Sequence, residues 1–338
     1  MEALLYEKLD DQKVRCNLCQ HRCLIASGKR GLCGVRENRG GVLESLVYAK
    51  LVAKHVDPIE KKPLFHVLPG SLSYSIATVG CNFSCRFCQN ANIAQLPKDH
   101  NGRIVGEHFP PEKVVQEAII SGSKTIAYTY TEPTVFFEYA LDTAKLARKK
   151  GLRNVFVTNG YATPEAVMLA GPYLDAANVD LKAFNKPFYK DLVGAKLEKV
   201  LETIKCLSQA GVFLEITTLL IPQANDDPKE LADLAAWIVD NLGPQTPWHI
   251  SRFHPTYRLT DRGPTPLQSL LDARQIGKDA GLYHVYTGNI PGQGGEETLC
   301  HNCGHLLIDR VGYRILANNL AKGGTCPSCQ TKAAGIWE

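Results

Sequence analysis

The sequence predicts an α/β protein, a partial (β/α)6 TIM-like barrel with a Cys-rich N-terminal extension and a second Cys-rich module at the C-terminus. Three observations predict it. Strand-like apolar runs alternate with helical segments at a period of about 35 residues through the middle of the chain. Prolines fall at the starts of those helical segments and glycines just past their ends. Eleven of the twelve cysteines fall into three tight groups, one before, one inside and one after the alternating region.

In chain order, residues 1–70 read as a loop-like extension, punctuated by Gly28, Gly31, Gly34, Gly40 and Gly41, with Asp57–Pro63 (DPIEKKP) as a turn at its end. Residues 71–290 form the core. Its predicted strands are 73–79, 125–130, 154–157, 177–181, 213–221, 248–253 and 282–286. They are rich in Val, Ile, Tyr, Phe and Thr, without strict alternation, as strands buried on both faces are. Predicted helices lie between them at 111–121, 134–150, 164–170, 198–210, 228–241 and 266–280. In the first of these, Val114, Val115, Ala118 and Ile119 share one face. Successive βα units imply a parallel sheet with right-handed crossovers. The regular period favours a partial barrel, with a doubly wound open sheet as the alternative. Residues 291–338 open on a glycine-rich link, PGQGG, and are too few for an independent apolar core, so a bound metal would have to replace it.

Composition bounds the function. The chain has 338 residues, 44% hydrophobic and 21% charged, which excludes disorder and collagen-like structure. A net charge of +4 with no long basic run argues against a dedicated nucleic-acid binder. No apolar stretch approaches about 20 residues, and the start MEALLYEKLDDQ lacks a signal-peptide pattern, so the expectation is a soluble cytoplasmic protein. In such a chain, clustered cysteines imply metal sites rather than disulfides.

The central group is Cys81, Cys85 and Cys88 in GCNFSCRFCQN, directly after the first core strand, at the end where barrel enzymes keep their chemistry. Three thiolates in one loop with no fourth beside them do not close a structural zinc shell unless a distant His completes it. They suit an iron–sulfur cluster with one open iron. Phe87 would wall that cluster from solvent.

CNFSCRFC resembles the CxxxCxφC signature of the radical SAM superfamily, with Phe87 as the aromatic φ. The resemblance implies a [4Fe-4S] cluster on Cys81, Cys85 and Cys88, with S-adenosyl-L-methionine (SAM) on the open iron. Reductive cleavage would yield a 5′-deoxyadenosyl radical, chemistry that belongs to the cofactors. Over residues of about 75 to 290 the chain is similar to the branch containing pyruvate formate-lyase activating enzyme. Thr131-Glu132-Pro133 stands where that branch has Gly-Gly-Glu-Pro, which implies that Glu132 accepts from the SAM ammonium. Tyr130 and Thr131 replace the two glycines. Val157-Thr158-Asn159-Gly160 resembles Asp-Thr-Asn-Gly, with Val157 in place of the Asp and Asn159 retained. Asp180-Leu181-Lys182 matches Asp-x-Lys, which implies that Lys182 pairs with the SAM carboxylate. His254 falls where the activase has a SAM-contacting His. All of these lie at predicted carboxyl ends of strands. The alternative for each one alone is a capping or turn residue.

Cys300-His-Asn-Cys303 and Cys326-Pro-Ser-Cys329 are two CxxC knuckles around a short β segment, a zinc-ribbon-like pattern that zinc, or else an accessory iron–sulfur cluster, would hold together. Cys16, Cys19, Cys23 and Cys33 could hold zinc or a second cluster, and their spacing does not decide between them; His21 could substitute for one ligand. Cys206 reads as a small buried hydrophobe within a helix.

Taken together, CNLCQHRC with GLCGVREN, DPIEKKPLFHVLPG, GCNFSCRFCQN, YTYTEPT, YTGNIPG and CHNCG…CPSC resemble the AmmeMemoRadiSam-system radical SAM proteins over nearly the whole chain. The resemblance implies Memo-like and AMMECR-like partner proteins, and a one-electron reductant such as flavodoxin or ferredoxin. The expected activity is hydrogen abstraction from an unidentified substrate, a protein or peptide ahead of a small molecule. Tyr130, Asn90, Arg252 and Tyr257 are candidates to read it. The competing functions are a non-catalytic metal-rich scaffold and an iron–sulfur electron carrier; neither needs a SAM site.

Overall fold

A computed structural model describes residues 1–290 and 294–338. Seven strands, Leu72–Ala77, Thr125–Tyr128, Arg153–Thr158, Ala176–Asp180, Phe213–Leu220, Trp248–Arg252 and Val285–Gly288, pair in parallel, each with the next in the chain. The spatial order never reverses, so the sheet has no switch point, and the doubly wound alternative does not describe it. Right-handed crossovers in one direction place the helices on one side of such a sheet, as in a barrel wall. The fold is α/β with a mostly parallel sheet, consistent with a partial barrel. It stays open: the last parallel strand forms one edge, and Ala53–Pro58 forms the other by pairing antiparallel with Leu72–Ala77.

The helices Pro111–Ile120, Phe137–Lys149, Pro164–Ala170, Leu197–Gln209, Pro228–Leu242 and Leu267–Asp279 fill the connections. Their starts are built locally. Thr163 Oγ1 accepts from Ala166 N at 3.3 Å and Asp227 Oδ1 from Glu230 N at 2.9 Å, each just before a proline whose missing N–H costs nothing there. The strand predicted at 282–286 begins three residues later. Leu282 instead turns off the preceding helix, donating its N–H to Gly277 O at 3.1 Å. Cys206, expected to be buried, is half-buried at the edge of the larger core.

The extension is not loop-like. Tyr6–Lys8, Val14–Cys16 and Leu24–Ile25 form one antiparallel sheet, and Arg36–Arg39 pairs with Val42–Ser45. Strands of two to four residues are too short to show a period. DPIEKKP also divides differently from its expected turn, since Asp57 and Pro58 end the antiparallel edge strand before a 3-10 turn at Ile59–Lys61. The extension packs Leu18 and Leu43 against Phe137, Leu141 and Ala166 of two barrel helices.

After residue 293 a small antiparallel sheet, Thr298–Leu299, Leu306–Val311 and Arg314–Asn318, carries the last four cysteines. It sits at the amino ends of the barrel strands. Arg153, which opens the third parallel strand, donates to Glu338 O at 2.7 Å, and Ile336 exchanges backbone hydrogen bonds with His66 and Leu68 ahead of the first. The expected glycine-rich link and the end of YTGNIPG fall partly on residues 291–293, outside the described residues. Among the described residues no helix is long and apolar enough to cross a membrane.

A candidate active site at the carboxyl ends of the strands

Leaving the first parallel strand, the chain turns at Gly80 (φ +101°) into the loop that carries Cys81, Cys85 and Cys88. Ser84 N and Arg86 N donate to Val193 O and Leu192 O, both at 2.9 Å, which ties the loop to the Tyr189–Val193 turn. Gln95 Nε2 and Lys98 Nζ donate to Phe83 O at 3.0 and 2.6 Å. Phe83 and Phe87 are buried beneath it, Phe87 against Phe188. The three thiols therefore sit on a braced loop over an apolar floor. Burial pushes Cys85 up to about 11 and raises Cys81 and Cys88 as well. A bound cation is what would draw such thiols into the thiolate form.

Glu132 follows the second parallel strand and is almost fully buried. Its Oε1 accepts from Thr134 N at 3.0 Å, Thr134 Oγ1 at 2.6 Å and Thr158 Oγ1 at 2.8 Å, while Oε2 takes one bond, from Asn159 N at 2.8 Å. Burial raises its pKa and the donors offset part of that rise. Glu132 is thus a cap of the turn that follows it, and one oxygen still has acceptor capacity. Asn159 links this carboxylate to the cysteine loop. Its Nδ2 donates to Asn82 Oδ1 at 2.8 Å and lies 3.7 Å from Cys81 Sγ. Its Oδ1, and Asn82 Nδ2, are buried without a partner, which marks a place where a polar ligand would be welcome.

Lys182 Nζ donates to Asp180 Oδ2 at 2.8 Å after the fourth strand, and stands over the Phe87 ring at 5.9 Å. Burial would lower its pKa, but Asp180 and Cys85 hold it above the usual value. Cys81, Cys85, Cys88, Phe87, Glu132, Asn159, Asp180 and Lys182 are therefore neighbours at one mouth. His254 is not in this buried set; it is exposed beyond the sixth strand. The residues expected to read a substrate already spend their polar ends within the chain. Asn90 Nδ2 donates to Tyr130 O at 2.8 Å, Tyr130 OH donates to Asp57, Arg252 Nε donates to Thr265 O at 2.8 Å, and Tyr257 OH donates to Asp99 at 2.8 Å.

Sequence reasoning overlooked three participants. Thr158 and Asn82 sit inside the VTNG and GCNFSCRFCQN motifs as ordinary polar residues, and Thr134 carries only the weak signal of a hydroxyl two residues after a carboxylate. The pair of Asp57 with buried Lys62, at 2.6 Å, was also missed, because the two look like charged turn residues.

The C-terminal thiols form a different kind of group. Cys300 Sγ lies 3.6 Å from Cys329 Sγ and Cys303 Sγ 3.7 Å from Cys326 Sγ, and all four lie within 4.8 Å of one another. Among the described residues no other group of three or more His, Cys, Asp or Glu ligand atoms is drawn together so closely. This cluster could bind a metal.

An open parallel barrel with a three-thiol loop and a buried carboxylate at its mouth defines a barrel enzyme built for a thiolate-held cofactor. Residues 75–235 match the family model described as the radical SAM superfamily, and the chain belongs to that superfamily. Membership implies a [4Fe-4S] cluster and SAM, and indicates an enzyme that cleaves SAM at that cluster. The chain is 46% identical to an uncharacterized protein of Methanocaldococcus jannaschii over 332 residues, 98% of each chain. It is 24% identical to the pyruvate formate-lyase 1-activating enzyme of Escherichia coli over 152 residues, 44% of this chain and 61% of that one. It shares its fold with Streptococcus suis SuiB bound to the precursor peptide SuiA, at a TM-score of 0.52 and 14% identity, covering 68% of this chain and 51% of that one. The three thiols, the open acceptor on Glu132 and the unpartnered Asn159 oxygen form a donor set that fits the implied cofactors.

Proposed function

We propose that Cys81, Cys85 and Cys88 hold the [4Fe-4S] cluster and that Glu132, Asn159 and Lys182 hold SAM against it, so that the chain abstracts hydrogen from a protein or peptide substrate at the barrel mouth. When bound, the cluster and SAM supply reductive sulfonium cleavage and a 5′-deoxyadenosyl radical. The chain's own residues bind, orient and shield. Glu132 Oε2 offers its spare acceptor to an ammonium, and Thr134, Thr158 and Asn159 N fix the carboxylate in place so that little reorganisation is needed on binding. Lys182, kept protonated by Asp180, offers a cation to a carboxylate. Phe83 and Phe87 exclude water below the loop. The observation that carries this reading is the continuous hydrogen-bonded path from Glu132 through Asn159 to Cys81.

Within the superfamily, the motifs across the whole chain support membership of the AmmeMemoRadiSam-system proteins, with Memo-like and AMMECR-like proteins as partners and flavodoxin or ferredoxin as reductant. The C-terminal thiols support zinc. Four sulfurs on one ion at about 2.3 Å are spaced by roughly 3.8 Å around a tetrahedron, and the observed pairs lie at 3.6 and 3.7 Å.

The test is 5′-deoxyadenosine formation by anaerobically reconstituted protein with SAM and reductant, beside Cys85→Ala. Formation that disappears in Cys85→Ala is expected. No nucleoside together with no SAM binding would sink the reading and leave the scaffold and electron-carrier functions.

A further inference from the structure

Cys16, Cys19, Cys23 and Cys33 are brought together although they come from a strand, a turn and two loops. All four line one cavity, and Asn82 and Thr134 line it with them. A cation is built into that wall as well. Arg36 is 2% exposed, and its Nη2 donates to Glu138 Oε2 at 2.5 Å, while its Nε and Nη1 are buried with no partner. A buried guanidinium with idle N–H groups is costly unless something in the cavity accepts from them.

The spacing of the thiols decides what that is. A single zinc draws its four sulfurs together, as at the C-terminal group, where all lie within 4.8 Å. No three of the N-terminal sulfurs come that close to one another. A [4Fe-4S] cube gives each thiolate its own iron, so the sulfurs stand apart with the cube between them, and its sulfides accept hydrogen bonds from nearby N–H groups. Four protein thiolates also close the shell, leaving no iron open to a substrate. The use of such a cluster is electron transfer.

The cavity abuts the active site. Asn82 follows Cys81 directly and also receives His21, whose Nε2 lies 2.9 Å from Asn82 O. Thr134 bonds the Glu132 carboxylate. Gly80 permits this closeness, because a Cβ there would meet Val35 Cγ1 at 2.5 Å and Cys33 O at 3.2 Å.

We propose that Cys16, Cys19, Cys23 and Cys33 hold a second [4Fe-4S] cluster, with Arg36 donating to it, and that this cluster hands electrons to the one on Cys81, Cys85 and Cys88. One electron leaves the reduced N-terminal cluster ([4Fe-4S]1+ to 2+) and reduces the central one (2+ to 1+), and no bond of the chain forms or breaks. A one-electron donor of the flavodoxin or ferredoxin class restores the first. The transfer rests on the function proposed above; the identity of the N-terminal cofactor does not.

The experiment is metal and sulfide analysis of full-length protein, purified anaerobically from medium holding both iron and zinc. Intact protein is expected to carry about eight irons and one zinc per chain, and Cys81→Ala/Cys85→Ala/Cys88→Ala to keep about four irons, four sulfides and a one-electron-reducible EPR signal. Two zincs, with no iron left in that triple variant, would overturn the proposal. The complementary Cys19→Ala/Cys33→Ala is expected to keep about four irons. In it, the ratio of nucleoside formed with a flavodoxin to that formed with a small chemical reductant is expected to fall at least about tenfold; an unaltered ratio would overturn the transfer. The iron count of the triple variant reads the N-terminal site even if no nucleoside forms under any condition, so failure of the proposed function and failure of this inference remain distinguishable.

Discussion

Glu132 takes its hydrogen bonds from two separate elements, the turn at Thr134 and the end of the third parallel strand at Thr158 and Asn159. Glu132→Gln would turn an amide NH2 toward some of these donors and remove the charge proposed to pair with the SAM ammonium. Charged hydrogen bonds of this kind contribute about 1.5–3 kcal/mol, so SAM affinity should fall about 10- to 100-fold. Isothermal titration of reconstituted protein checks this, and unchanged affinity at full iron loading would remove Glu132 from the SAM site. Asp57 is the second residue with a clear forecast. Burial would raise its pKa, but Lys62, Tyr130 and Lys61 hold it well below its ordinary 3.8. A depressed carboxylate stabilises the fold fully above its unfolded pKa and loses that contribution as pH falls through 3.8 toward the folded value. Asp57→Asn also leaves the buried Lys62 ammonium uncompensated, which costs about 3–5 kcal/mol near neutral pH. The gap between parent and Asp57→Asn in denaturant unfolding should therefore narrow in acid; a gap independent of pH would show that the charge is not what matters.

Between elements, the decisive contact is the interlock of the Cys33–Val35 segment with the turn at Gly80. Gly80→Ala meets a strained φ of +101° and a Cβ contact of 2.5 Å at once, so it should cost about 2–4 kcal/mol. Gly122→Ala has a similar φ, +69°, but open space around it, and should cost only about 1 kcal/mol. Equal losses in thermal unfolding would mean that the interlock does not constrain the loop. This interlock also shows what a sequence can and cannot carry. The parallel strands were legible because burial on both faces leaves continuous runs such as Thr125–Tyr128, and the helices because Pro111, Pro164 and Pro228 mark their starts. The edge strand Ala53–Pro58 was not, since its one free edge and the exposed Lys54, His55 and Val56 leave no apolar run or alternation to mark it, and its end at Asp57 and Pro58 reads as the start of a turn. The three-thiol loop was legible because its ligands are local in the chain. The bonds that fix Glu132 were not, because Thr158 and Asn159 arrive from the next strand and no local spacing records them. The spread of Cys16, Cys19, Cys23 and Cys33 is likewise a property of the folded walls around them.

At the scale of the whole molecule, the two ends of the barrel have separate work. The carboxyl ends gather the three-thiol loop, Glu132 and Lys182. The amino ends receive the C-terminal module through Arg310, which donates to Phe65 O at 2.5 Å, and through the pairing of Ile336 with Val67 and Leu68. His301 stacks on Tyr283 there with ring centroids 4.3 Å apart. A module of this size has a small apolar cluster, so the zinc proposed for its four thiols would supply much of what holds it folded. Cys300→Ser/Cys326→Ser should then lose one zinc per chain and lower the Tm by roughly 5–10 °C, as a loss of a few kcal/mol does in a domain of this size. The sheet lies between this module and the mouth residues Glu132, Asn159 and Lys182, and among the described residues none of the hydrogen bonds that fix these three comes from the module. SAM affinity below the new Tm should therefore stay within about twofold of the parent, since sites that share no partner behave additively. A tenfold loss of SAM binding while circular dichroism still reports a folded barrel would show that the module reaches the mouth through the strands and is more than an anchor for their amino ends.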